Sequence, residues 1–181
     1  MNIILKVINK IISLIFVWKS NYKGNVYISF PAYILGHEFI CHKNFISGPG
    51  LRIECIDNYK GVRYNPHLFI GNDVRFNYNC HIGCINYIYI GNNCLIGSNV
   101  LITDHSHGNF SEINVRPEDR TLFSKGAVII DDNVWIGENV CILPNVKIGR
   151  NSIVGAGSVI TKDIPPFSVV AGNPGRILNI R

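Results

Sequence analysis

The sequence predicts an all-β chain wound into a parallel solenoid, preceded by one helix and interrupted by one long excursion. Three observations carry this. The first is composition: 30 Ile and 15 Val stand against 10 Leu and 4 Ala, with 22 Asn and 17 Gly. Branched side chains suit a pleated surface, Asn and Gly suit tight turns, and the strong helix formers Ala and Leu are scarce. The second is an aliphatic residue at every sixth position over long stretches. The third is a polar segment, residues 104–126, where that spacing stops.

The N-terminal segment, residues 1–20, departs from the β pattern. Lys6, Asn9, Lys10 and Ser13 recur at helical spacing in an otherwise apolar run. They mark an amphipathic helix over residues 2–18 with a narrow polar stripe. It is too short and too interrupted for a membrane span. Two roles fit: packing on the domain or a neighbouring subunit, or lying in a membrane interface.

Residues 21–171 are expected to form the solenoid. Over residues 21–69, alternating fragments at Val26, Ile28, Phe39, Phe45, Leu51 and Ile53, with Gly36, Gly48, Gly50 and Gly61 as turns, read as degenerate early coils. The regular pattern starts at Ile70, Phe76 and Ile82, and resumes at Ile90, Ile96 and Ile102. It returns at Ile130 and runs through Ile136, Ile142, Ile148, Val154 and Ile160. A small or branched residue stands two places before each later start: Val134, Val140, Val146, Ser152 and Ser158. A period of six fits neither a continuous strand nor a helix. It fits a short strand plus a sharp turn, three of which close one triangular coil. The aliphatic residues then stack inside the prism, and Gly and Asn relieve the backbone at its corners. The excursion at about 104–126 is polar and charged, as functional loops on regular scaffolds are. The tail, residues 172–181, is expected to lie across the last coil.

Composition narrows the function classes. A hydrophobic share of 47% excludes a disordered chain. The net charge of +5 comes from scattered Lys and Arg, without the basic stripe of a nucleic-acid binder. Six cysteines show no paired spacing, and Val17-Trp18-Lys19-Ser20 offers no small-residue cleavage pattern. The thiols are therefore read as reduced small hydrophobes, and the protein as cytoplasmic. No glycine-rich dinucleotide motif and no hydrolase-type serine motif is present.

The hexads, the segment Leu101-Ile102-Thr103-Asp104-His105-Ser106-His107-Gly108, and the ending Thr161-Lys162-Asp163-Ile164-Pro165 followed by Gly172-Asn173-Pro174 resemble one family. It is the hexapeptide-repeat acyltransferases with a left-handed parallel β-helix, in the maltose, galactoside and nodulation acetyltransferase branch. Within it the chain looks most like bacterial O-antigen and capsular polysaccharide O-acetyltransferases. The resemblance covers about residues 65–178 well and the N-terminal helix hardly at all.

That resemblance implies a CoA-dependent O-acetyltransferase: acetyl-CoA as co-substrate, a sugar or polysaccharide acceptor, no metal, and a homotrimer with sites between neighbouring prisms. It implies a histidine general base on the excursion. His107 aligns with the family's catalytic histidine, and His105 is its competitor. An imidazole suits the task, because a sugar hydroxyl attacks a thioester only as its proton is removed. Asn77 aligns with an acceptor-site asparagine. Asp104 is placed at the acceptor side, with a hydrogen bond to a histidine ring or a turn cap as its other readings. Trp135, Ala156, Thr161, Lys162 and Arg176 match positions along the CoA path, where the two cations can pair with phosphate. Relatives often carry a small residue where this chain has Glu138. The lipid-linked version of the substrate would place the enzyme at the inner face of a membrane, held peripherally by residues 2–18. Two alternatives stay open: a β-helix metalloenzyme of the carbonic anhydrase type using His81, His105 and His107, and a non-catalytic scaffold.

Overall fold

A computed structural model describes residues 3–19, 25–36, 39–108 and 110–180. The expected junction between helix and solenoid, at residues 20 and 21, lies outside the described residues, as do both ends of the chain.

The chain is a left-handed β-helix whose coils stack as a triangular prism. The first face holds the parallel strands Val26–Ile28, Phe45–Ser47, Arg75–Phe76, Leu95–Ile96, Trp135–Ile136, Ile153–Val154 and Ser168–Ala171. The second holds Ala32–Leu35, Leu51–Cys55, His81–Cys84, Leu101–Thr103, Cys141–Ile142 and Val159–Ile160. The third holds Phe39–Cys41, His67–Ile70, Tyr87–Ile90, Val128–Ile130 and Val146–Ile148.

The six-residue spacing explains this directly. Ile70, Ile82, Ile90, Ile96, Ile102, Ile130, Ile136, Ile142, Ile148 and Val154 are all fully buried. Each stacks on its equivalent one coil away, as in the column Phe76, Ile96, Ile136, Val154 and Val170. Burial of each such side chain contributes about 1.5–3 kcal/mol. Three residues after a hexad start the chain turns a corner with positive φ: Asp73, Asn79, Asn93, Asn99, Asn133, Asn139, Asn145 and Asn151. Asn and Asp tolerate that conformation better than other side chains. These corners take seven of the 22 asparagines. The six cysteines are free, and all but the half-buried Cys141 are fully buried.

The N-terminal helix, Ile3–Lys19, packs in an unexpected orientation. Its polar stripe divides. Lys6 and Lys10 are exposed, but Asn9 and Ser13 are buried against the first coil. Asn9 accepts from the Phe30 amide through Oδ1 (2.8 Å) and donates to the Tyr27 hydroxyl (2.8 Å). Ser13 Oγ accepts from the Ile28 amide at 2.9 Å. These contacts satisfy amides at the open edge of the prism, which would otherwise be left unpaired. Phe16 plugs the end of the prism, stacked on Phe45 at 5.3 Å. Ile3, Ile4, Val7, Ile11, Leu14 and Trp18 are exposed.

At the other end, Ile164 bridges to Ile148 and Ser168–Ala171 continues the first face. The strand Arg176–Ile180 then turns back antiparallel along Ser168–Ala171. The tail thus extends the edge of one face. Between Leu51–Cys55 and His67–Ile70, the early coils carry a feature the sequence pattern did not announce. It is a small hairpin, Asn58–Tyr59 with Val62–Arg63.

Candidate active site

The excursion leaves the prism after Thr103 and rejoins it at Val128, at the corner between the second and third faces. Its stem is a short antiparallel pair, Ser106–His107 with Leu122–Phe123. Two 3-10 turns, Phe110–Glu112 and Pro117–Asp119, form its outer part.

The two histidines sit in different settings. His105 is tucked against the second face, its side chain 12% exposed. Its Nδ1 lies 3.0 Å from Asp104 Oδ1 and 3.3 Å from Thr103 Oγ1. Its ring fits because residue 83 is glycine: a Cβ there would stand 3.0 Å from His105 Cε1. His107 is exposed on the stem, with the ring of Tyr59 edge-to-face at 5.7 Å.

Of the readings open for Asp104, the structure shows the hydrogen bond to a histidine ring. Asp104 is fully buried, and its carboxylate accepts from the amides of Ile85 (3.0 Å) and Asn86 (2.8 Å) as well as facing His105. A buried carboxylate requires such partners. It anchors the start of the excursion and orients His105. The neighbouring Cys84 thiol lies 3.5 Å from Asp104 Oδ2, and a hydrogen bond with Cys55, burial and the Asp104 charge push its pKa up.

The remaining site residues gather in two clefts. The first, about 490 Å³, lies on the first face and is lined by Asn77, Trp135 and Ala156 with Leu95, Glu138 and Ile153. Trp135 points outward between Leu95 and Ile153 and is 51% exposed. Glu138 accepts from Ser98 Oγ at 3.2 Å and forms part of the wall. The second, about 230 Å³, is lined by Thr161, Lys162, Arg176 and Ile164 beside the last coil. Its two cations share the wall with aliphatic side chains and with Asp163, whose Oδ1 accepts from the Lys147 amide at 2.8 Å; the cations are donors of the kind that pair with phosphate groups. Neither cleft is lined by His105 or His107.

Beside the histidines, the second face carries a charged row. Glu54 meets Arg52 at 2.8 Å and His81 Nε2 at 2.9 Å. Burial raises the Glu54 carboxyl, but the hydrogen bonds from Arg52 and His81 outweigh it and hold the pKa below its ordinary value. Among the described residues, no three His, Cys, Asp or Glu side chains are grouped to hold a metal ion, and His81, His105 and His107 do not converge within the chain.

Known proteins agree with this architecture. Residues 127–162 match the family model described as "Bacterial transferase hexapeptide (six repeats)", and residues 87–103 match "Hexapeptide repeat of succinyl-transferase". The chain is 41% identical to the Escherichia coli K12 protein that carries the name lipopolysaccharide biosynthesis O-acetyl transferase WbbJ, over 87% of this chain and 80% of that one. It is 40% identical to the galactoside O-acetyltransferase of the same organism, over 64% of this chain and 55% of that one. Among solved structures, a maltose O-acetyltransferase from Clostridium difficile 630 superposes with a TM-score of 0.64 at 25% identity, covering 98% of this chain and 84% of that one. A galactoside acetyltransferase in complex with coenzyme A gives 0.57 at 29% identity, covering 89% and 64%. The regular hexads, the histidine-bearing excursion and these relatives together place the chain in the hexapeptide-repeat family of CoA-dependent O-acetyltransferases.

Proposed function

We propose that this enzyme acetylates a hydroxyl of a bacterial surface polysaccharide or of its lipid-linked precursor, and that it works as a homotrimer. The relative named for lipopolysaccharide biosynthesis supports the substrate class. The observation that carries the assembly is the separation of the two halves of the chemistry. Asn77, Trp135 and Ala156 line a cleft on the first face. The histidines leave from the corner between the other two faces, which is the corner opposite it. That separation supports a site completed by a neighbouring copy.

In the assembled site, CoA lies along Trp135 and Ala156, with Thr161, Lys162 and Arg176 receiving its phosphate-bearing end. Asn77 positions the acceptor. His107 takes the hydroxyl proton as the sugar oxygen attacks the thioester carbonyl. A backbone amide stabilises the resulting oxyanion. The C–O bond forms, the C–S bond breaks, and the proton passes from His107 to the departing CoA sulfur. Accessibility favours His107 as the base. A second reading, His105 as the base, is favoured by its contact with Asp104.

The enzyme works in the cytoplasm at the inner face of the membrane, held peripherally through residues 2–18. The exposed apolar side of the helix supports this. So does charge: residues 1–37 contain Lys6, Lys10, Lys19 and Lys23 and no Asp or Glu. Among the described residues no helix is long and apolar enough to cross a membrane.

The test is acetyl-CoA turnover with a panel of glycans, on wild type, His107→Ala and His105→Ala, with molar mass by light scattering. A trimer, glycan-dependent CoA release and loss of rate in His107→Ala are expected. A fully active monomer overturns the shared site. Full rate in both variants overturns the histidine base.

A further inference from the structure

Two loops leave the prism at the corner between the second and third faces, separated by one tightly turned coil. One is the histidine-bearing excursion. The other is the hairpin Asn58–Tyr59 with Val62–Arg63. The hairpin reaches across the coil between them and grips the excursion at three points.

Tyr64 Oη accepts from the Leu122 amide at 2.9 Å and donates to the Leu122 carbonyl at 3.1 Å. Leu122 is the residue paired with His107 across the stem. One phenol thus fixes the strand that fixes the histidine. Lys60 Nζ pairs with Asp119 Oδ1 at 3.2 Å and donates to the Glu118 carbonyl, both in the second 3-10 turn. Lys60 and then Arg116 hold the Asp119 carboxyl below its ordinary pKa. Tyr59 packs its ring edge-to-face on the His107 imidazole.

The turn chemistry marks this as more than a spare loop. Tyr59 and Val62 pair across a two-residue turn in which Lys60 and Gly61 both have positive φ, 51° and 80°. That geometry favours Asn-Gly and disfavours a long side chain at the first position. Lysine stands there against the local preference, and its ammonium reaches the excursion. Strain retained where a contact to a functional loop results is a mark of a positioning device.

We infer that the hairpin is a positioning clamp for the excursion: Tyr64 and Lys60 set the height and tilt of its stem, and Tyr59 sets the orientation of the His107 ring. The inference rests on His107 being the base. None of the three touches substrate in this scheme. A ring displaced by about 1 Å loses much of its rate in proton transfer, on the order of a hundredfold.

The test uses full-length Lys60→Asn, Tyr64→Phe and Tyr59→Leu. Two readouts are taken: kinetics with acetyl-CoA and the glycan of the panel above that gives the fastest CoA release, and the NMR signal of the His107 ring. Lys60→Asn is the discriminating variant, because Asn-Gly suits the turn better than Lys-Gly. A merely structural hairpin predicts an unchanged kcat and an unchanged or higher Tm. A clamp predicts a kcat lower by about tenfold or more, a KM for acetyl-CoA within about twofold, and a Tm that does not fall. Tyr59→Leu should shift the His107 ring resonance, and Tyr64→Phe should broaden it. Full kcat in all three variants while His107→Ala is inactive overturns the clamp and leaves the base standing. Full kcat in His107→Ala overturns the base, and the ring resonance then decides the clamp: an unmoved signal in all three variants rejects it.

Discussion

His105 Nδ1 lies 3.0 Å from Oδ1 of Asp104, a carboxylate with no exposed surface. The same carboxylate accepts from the Ile85 and Asn86 amides of the coil below. One side chain therefore joins the excursion to the prism. Asp104→Ala would leave two inward-facing amides without an acceptor, and we expect it to cost about 3 kcal/mol in urea unfolding. Asp104→Asn keeps an acceptor for the amides and should cost less, about 1 kcal/mol. Equal and small losses in both would show that the amides find water instead.

The two histidines should respond differently. His107 is exposed, so His107→Ala should leave Tm unchanged and lower kcat by about 10²–10⁴-fold, the range a positioned general base contributes. His105→Ala removes a partner of the buried Asp104 and should lower Tm along with any loss of rate. Thermal melts and kcat measured on the same preparations separate the effects. If His105→Ala gives the larger kcat loss at unchanged Tm, the roles of the two rings are exchanged.

Lys162 and Arg176 line one cleft beside the last coil. If CoA phosphates bind there, Lys162→Ala and Arg176→Ala should each raise KM for acetyl-CoA by about tenfold, the loss of one charge-assisted contact. The kcat should hardly change, since these contacts persist from ground state to transition state. Raising the salt concentration should weaken wild type more than either variant. A salt-independent KM in wild type would place the phosphates elsewhere.

The prism was legible in the sequence because its period is enforced at every coil. Ile136 or Ile142 replaced by a polar residue would leave that residue dry, so the aliphatic rhythm survives and can be read. The corner asparagines were legible for the same reason. The hairpin at 58–63 was not. Gly61 announces a turn, but nothing in Tyr59 or Lys60 says that their partners are His107 and Asp119, some fifty residues away. Asp104 was legible as a partner for a histidine ring, but an Asp next to a histidine looks the same whether it faces solvent or the Ile85 amide. The helix was legible in part. Packing on the domain was one of the two roles its period allowed, but the period could not say that Asn9 and Ser13 would face inward to meet amides at the open edge of the prism.

Glu54 gives a pH dependence with a definite sign. Burial opposes its charge, but Arg52 and His81 hold the folded pKa below the ordinary value of 4.5. A carboxyl depressed on folding stabilises the native state fully above its unfolded pKa. That contribution is lost as pH falls from the ordinary value through the depressed one. Wild type should therefore lose stability on acidification below about pH 4.5, and Glu54→Gln should lose less over the same interval. Urea midpoints measured at pH 7, 5, 4 and 3 for both proteins check this. Parallel curves would show that Arg52 and His81 do not hold the carboxylate in solution.

The N-terminal helix has one face devoted to the prism and another to something outside it, and substitutions should separate the two. Phe16 is fully buried on Phe45, so Phe16→Ala should cost about 3–5 kcal/mol. Val7 and Ile11 are 54% and 51% exposed. Replacing both by Ser should change stability by less than about 0.5 kcal/mol, as surface substitutions do. If the outer face meets an anionic bilayer, the same double variant should lose co-sedimentation with phosphatidylglycerol vesicles. Wild type should bind these vesicles more tightly than phosphatidylcholine ones, and less tightly at high salt, because Lys6 and Lys10 flank the apolar surface. Wild type that ignores both vesicle types removes the membrane role. A double variant whose molar mass falls by light scattering, with no vesicle binding in wild type, would assign the face to a second copy of the chain.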